Sequence, residues 1–274
     1  WSYDNTARVW DVVSGAEQVR LSHDSGVNGA AWNGDESRIL TWSGGDMRIW
    51  DAASGEERLR LNHEWWLNGA VWSEDGNSIL TWGCYGTVAC RQGIVQVWDI
   101  AVGKGIERLR LNQERNINGA TWNESESFIL TWSGDGTSQI WDATSGVEQL
   151  RLSHNSSVIG AVWNGNESLV LTWSKDNTVR IWDVIDGVGQ LRLRFNNRIR
   201  DAAWDGDENL ILTRNDDNAA RVWNATNSTE VLRLTHDNFV NGTTWNEDES
   251  LILTWSGDGT SRIWNAASGA EQVR

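Results

Sequence analysis

Four histidines and five aspartates are the residues of this 274-residue chain whose types could do chemistry together: His23, His63, His154 and His236, with Asp4, Asp135, Asp176, Asp217 and Asp258. A hydroxyl beside an imidazole beside a carboxylate is the arrangement of acyl transfer, in which the imidazole takes a proton and the carboxylate orients it. Each His stands four residues before an apolar run, and each Asp stands six residues before a Trp-Asp or Trp-Asn pair. A catalytic set is needed once, whereas this one recurs, which argues for a structural part played many times. The sequence carries no phosphate-cradling glycine loop, no His-Glu-x-x-His and no Cys-x-x-Cys. Two cysteines, Cys84 and Cys90, are too few for a zinc site. They could bridge within their own loop, though a reducing compartment would keep them free. No catalytic residue, metal or cofactor is expected.

The elements that position these residues follow from the repeat. One series of Trp-Asp or Trp-Asn pairs, closing the third short run of each unit, begins at Trp10, Trp50, Trp98, Trp141, Trp182, Trp223 and Trp264, 40 to 48 residues apart. One unit reads "VIGAVWN", "LVLTWS", "TVRIWD" and "GQLRL", separated by turn clusters such as "GNES" and "KDN". Short runs rich in Val, Ile, Leu, Thr and Trp between turn residues predict four antiparallel strands per unit. No segment carries an i, i+3, i+4 stripe over ten residues, so a helical solenoid is excluded.

Four strands per unit with Trp-Asp closing the third resembles the WD-repeat β-propeller family, over the whole chain. The likeness among repeats is similar to that of bacterial propellers appended to signalling or defence proteins. The resemblance implies an all-β propeller in which His, a Ser/Thr of the second strand, the turn Asp and the third-strand Trp form a hydrogen-bonded set. Thr131, Thr172 and Thr254 are its hydroxyl candidates. Gln113 and Phe195 stand at the His position of their units, Asp46 lies only four residues before Trp50, and the second full unit has no such Asp. Those blades are expected to lack the full network. The strand count gives six full blades (22–61, 62–111, 112–152, 153–193, 194–234 and 235–274) and an outer half blade over 1–21. They are read as one propeller domain, seven-bladed if completed, and opening at Trp1 suggests a fragment of a longer protein.

The 21 tryptophans fall in rows. First strands carry Trp32, Trp72, Trp122, Trp163, Trp204 and Trp245. Second strands carry Trp1, Trp42, Trp82, Trp132, Trp173 and Trp255. Rings repeated once per strand are expected to pack between neighbouring blades. Only Trp65 and Trp66 stand outside the rows. They share the second full blade with an enlarged turn, "GCYGTVACRQG", and exposed aromatics there suggest a protein-binding spot; the alternative is that the loop folds over the pair. The fifth full blade gathers Arg194, Arg198, Arg200 and Arg214, which could hold an anion or pair internally with Asp201, Asp216 or Asp217. The expected partner-binding set is Trp65, Trp66, Tyr85, Arg91, Arg115, Arg198, Arg200 and Arg214. Asn28, Asn68, Asn118 and Asn241 are expected to rim the channel of the propeller.

Net charge of −15 argues against nucleic acid as partner, and no apolar run approaches the ~18 residues of a membrane span. The acidic turns between first and second strands read as a solvated face. Together these predict a cytoplasmic, non-enzymatic scaffold or sensor that binds a protein or peptide through its His- and Asp-bearing loops. A lectin-like or small-ligand propeller and a self-assembling component are the alternatives, the incomplete blade offering a route to self-association.

Overall fold

The structure, a computed structural model, describes residues 1–86, 90, 92–101 and 103–274. Among the described residues the strands form six four-stranded antiparallel sheets and one of two strands, each built from strands consecutive in sequence. The two-stranded sheet pairs Thr6–Trp10 with Glu17–Ser22 and is the half blade. Blades one to six follow in order.

Blade four shows how the repeat folds. Its strands are Val158–Trp163, Leu169–Ser174, Thr178–Asp183 and Gly189–Arg194. In the second of these Val170, Leu171, Thr172 and Ser174 are all buried, because the strand is covered on both faces, and so it reads as a near-continuous apolar run. The outermost strand alternates, with Leu191 and Leu193 buried and Arg192 and Arg194 exposed. Charge on that edge discourages pairing with other chains.

Two compact units divide the chain: residues 1–135 with 140–149, and 136–139 with 150–274. In the first unit one apolar cluster joins the half blade to blade one (Ala7, Leu21, Ile39, Trp50), a second joins blades one and two (Leu40, Ile49, Leu67, Ile79), and a third joins blades two and three (Leu80, Val97, Ile117, Ile129). In the second unit corresponding clusters join blade four to five and five to six. Each fully buried Leu or Ile contributes about 1.5–3 kcal/mol over leaving it in water. Every cluster spans two sheets, so a single repeat has nothing to bury its faces against.

The acidic turns do more than solvate. Glu126 accepts a hydrogen bond from the Glu74 amide of blade two, Glu208 from the Gly165 and Asn166 amides and the Asn164 side chain of blade four, and Glu249 from the Gly206 amide of blade five. Each carboxylate thus latches its blade to the preceding one. All three glutamates hold a positive φ (54°, 60° and 59°), a conformation uncommon for a residue with a side chain.

The tryptophan rows do not share one role. The second-strand ring lies over the glycine paired with it on its own first strand: Trp42 over Gly29, Trp82 over Gly69, Trp132 over Gly119, Trp173 over Gly160 and Trp255 over Gly242. This row adds a second role to the expected packing between blades: the glycine leaves a slot within the sheet that the indole fills, while Trp42, Trp82 and Trp173 also pack against the clusters that join neighbouring blades. Blade five replaces the pair by Asp201 opposite Arg214.

Candidate functional site

The hydrogen-bonded set forms around the second-strand threonine. In blade four Trp182 Nε1 donates to Thr172 Oγ1 (2.8 Å), which lies 2.7 Å from His154 Nε2, while His154 Nδ1 is 3.2 Å from Asp176. Blade six repeats this with Trp264, Thr254, His236 and Asp258 at 2.8, 2.7 and 3.1 Å. A proton on His154 Nδ1 satisfies the carboxylate, and Nε2 then accepts from the threonine hydroxyl. Burial pushes His154 down to about 4, against the pull of Asp176. Burial also raises the Asp176 carboxyl, but hydrogen bonds from Thr178, the Asn155 amide and His154 outweigh it and hold it at about 2. The hydroxyl of the would-be triad belongs to a fully buried threonine and has no path to a substrate. The set ties strands together.

The other members diverge as their sequences do. His23 reaches Thr41 at 2.7 Å, but Asp46 stays 3.7 Å from its Nδ1. Gln113 donates to Thr131 at 2.6 Å and so stands in for histidine. The Asp135 amide donates to Ser133 Oγ at 3.3 Å in the turn of blade three. Asp4 and Asp217 have no histidine; they hold Arg8 and Arg221, each at 2.6 Å. Thr41, Thr81 and Thr213 serve the Trp of their blades as well. The "LT" shared by every second strand was the signal for them.

His63 is the correction. Both its ring nitrogens are buried without a partner, because the indole of Trp65 packs edge-on against it at 4.6 Å and blade two supplies no turn aspartate. It meets Trp98 edge-on at 5.3 Å and 82°, nearly the geometry of Phe195 against Trp223 (5.3 Å, 84°). Burial pushes His63 down to about 4. His63 and His154 both titrate near 6.5 in the unfolded chain, so between pH 6.5 and 4 the unfolded state binds more protons. Their contribution is complete above about pH 6.5 and is lost as pH falls through 4, up to about 3 kcal/mol each. Thermal melts at pH 7, 5.5 and 4.5 should show this loss. His63→Phe, which removes two orphaned nitrogens, should be neutral or stabilising at pH 7 and flatten the decline. An unchanged slope would refute the assignment.

The expected partner-binding residues separate. Trp65 is 5% exposed and lies in the core, which corrects its assignment to the surface, while Trp66 is 58% and Tyr85 48% exposed. A Cβ on Gly83 would collide with the Trp65 ring and the Trp66 carbonyl; glycine there, where other blades have Ser or Asn, admits Trp65 to the interior. Trp66 pairs with Cys84 across the strands Trp66–Trp72 and Ser78–Tyr85, and Cys84 is bridged to Cys90, with Cα atoms 5.5 Å apart. Arg91 lies outside the described residues. Arg115 and Arg198 are exposed.

In blade five two of the four arginines, Arg200 and Arg214, lie beside aspartates. Arg200 makes two hydrogen bonds to Asp216, at 2.5 and 2.9 Å, and Arg214 faces Asp201. Burial raises the Asp201 carboxyl and lowers Arg214, each opposed by the other's charge. Internal pairing takes Arg200 away from an anion site, while Arg214 is half-buried, its guanidinium 3.4 Å from the Val240 carbonyl and its Nε without a hydrogen-bond partner. Asn68, Asn118, Arg200 and Asn241 are the extra residues of first-strand bulges, skipped in the ladder between Leu67 and Gly69 and at the matching places. A bulge turns its side chain out of the sheet, and all four are exposed, as is Asn28. Among the described residues no group of three or more His, Cys, Asp or Glu could hold a metal ion, and no helix is long and apolar enough to cross a membrane.

Residues 147–183 and 228–265 match the family model of the WD domain, G-beta repeat (WD40). Among curated proteins none matches the chain. Among solved structures the chain is similar to the computationally designed Ika8 protein, with a TM-score of 0.80 at 18% identity over 98% of this chain and 80% of that one, which is a likeness of fold.

Proposed function

We propose that this chain, a WD-repeat protein of the β-propeller class, is a non-catalytic interaction module that binds a protein or peptide partner through the His-loop side of blade two. WD40 repeats generally serve as scaffolds for protein interactions. The observation that carries the more specific reading is the pair Trp66 and Tyr85, large aromatics left about half exposed beside a disulfide-closed loop. Aromatic anchors held on strands lose little freedom on binding, and such residues dominate interface energetics.

The test is recovery of cross-linked partners from the source proteome by wild type and by Trp66→Ala/Tyr85→Ala. Both side chains are exposed, so the variant should melt with wild type while specific partner recovery drops about tenfold, the scale of a hot-spot loss of ~1.4 kcal/mol or more. Equal recovery would remove blade two from the interface.

A further inference from the structure

Two residues before the third-strand Trp, most blades place an arginine, and its surroundings repeat. In blade one the Arg48 guanidinium lies 5.9 Å over the Trp50 ring, donates to the Ser22 carbonyl at 3.0 Å and stands 3.5 Å from Glu57. In blade six Arg262 lies 5.9 Å over Trp264, donates to the Thr235 carbonyl at 3.0 Å and to Glu271 at 3.3 Å. In blade four Arg180 lies 5.4 Å over Trp182 and donates to the Ser153 carbonyl at 2.9 Å. Arg221 of blade five pairs with Asp217 and approaches Glu230 at 3.8 Å. In blades one and six a ring face, a carbonyl preceding the His position and an outer-strand carboxylate therefore make a guanidinium site, and blade four keeps the first two with Gly189 in the carboxylate's place.

Blade two keeps the site and lacks the arginine. Gln96 stands in its place, opposite Arg110 as Arg48 stands opposite Arg60. Beside this shorter side chain lies a cavity of about 290 Å³ lined by Asn62, Glu64, Tyr85, Gln96, Trp98, Glu107 and Arg110, among others. Trp98 corresponds to Trp50, Glu107 to Glu57, Asn62 to Ser22 and Glu64 to Asp24, which itself holds Arg48 at 2.6 Å. Gln96 donates to Glu107 at 2.6 Å but leaves its Oε1 buried without a partner. Arg110 also holds Glu107, as Arg60 holds Glu57 while Arg48 sits beside them; that outer pair does not compete with an occupant. Blade three has glutamine there too, equally buried, but no side-chain atom of Gln139 is left without a partner as Gln96 Oε1 is.

We propose that the blade-two cavity receives a guanidinium group, the arginine side chain of a peptide or protein partner. This rests on the reading of blade two as the binding side and adds the side chain it selects. The site presents an aromatic-walled recess with two carboxylates, whose three-dimensional template is satisfied internally in blades one and six.

The probe is N-acetylarginine amide, titrated into the purified chain by calorimetry and by NMR of the Trp98 indole N–H, with the lysine and citrulline amides as parallel arms. Saturable binding in the roughly millimolar range is expected for a lone side chain, with citrulline and lysine at least about tenfold weaker because they lack the charge or the planar fork. Gln96→Arg, which supplies the chain's own guanidinium, should abolish binding and raise the melting temperature. Glu107→Gln should weaken binding about tenfold and decides the matter should Gln96→Arg fail to fold. Equal binding of citrulline or lysine, binding retained by Gln96→Arg, or no saturation would overturn the proposal. Trp66 does not line this cavity, so Trp66→Ala should bind the probe as wild type does. Partner loss in Trp66→Ala without probe binding in wild type would sink the cavity and leave the interface standing.

Discussion

Gly160→Ala should destabilise the second unit by about 3 kcal/mol, lowering its melting temperature by roughly 10 °C. The added Cβ would fall within the Trp173 ring, and neither partner can yield: Gly160 is buried backbone in a strand pair, and Trp173 packs against the cluster that joins blades four and five. The same change at Gly242 should cost less, because Trp255 is 40% exposed and free to swing aside. Blade five shows the way out, since Asp201 and Arg214 occupy the same two positions. The double variant Gly160→Asp/Trp173→Arg should therefore recover about 2 kcal/mol relative to the sum of its single changes. Chemical denaturation of the four proteins is the measurement, and a Gly160→Ala cost below about 1 kcal/mol would show that the ring does not need the glycine.

Thr172→Val should cost about 3 kcal/mol, whereas Thr213→Val should cost about half as much. Thr172 serves two buried groups, the indole N–H of Trp182 and the imidazole of His154. Valine has the same shape and strands both, each at about 1–3 kcal/mol. Thr213 serves the indole of Trp223, and the ring at the His position of its blade is Phe195, which asks nothing of a hydroxyl. The comparison holds strand, burial and substitution constant and changes only the number of orphaned groups. Equal denaturation midpoints for the two variants would mean that the histidine bond contributes nothing.

The strands, their grouping in fours and the His–Thr–Trp set were legible because each rests on a local spacing repeated along the chain: His154 and Asp176 could be paired on paper from His236 and Asp258. Three features were not. Burial of Trp65 depends on Gly83, a residue on another strand whose missing side chain makes room for it. The match of second-strand Trp to first-strand Gly is a cross-strand register, visible only once the bulge beside Gly160 is counted. The arginine vacancy at Gln96 is an absence, and an absence acquires meaning only from the contacts that Arg48, Arg180 and Arg262 make elsewhere. The arginines of blade five left two readings open in sequence, and the bulge that turns Arg200 toward Asp216 decides for internal pairing at that residue.

The glutamate latches bear on how such a chain is inherited. Glu126, Glu208 and Glu249 each reach back to a backbone amide at the matching turn of the sheet before, and every residue except proline, which this chain lacks, offers that N–H. The joint between successive copies is thus head-to-tail and indifferent to side-chain identity on its receiving half. A recombination event that deletes or duplicates one whole unit would rejoin donor to acceptor with every latch type preserved. Copy number can then drift while the joints remain sound, and surface residues such as Trp66 are free to diverge in one copy alone.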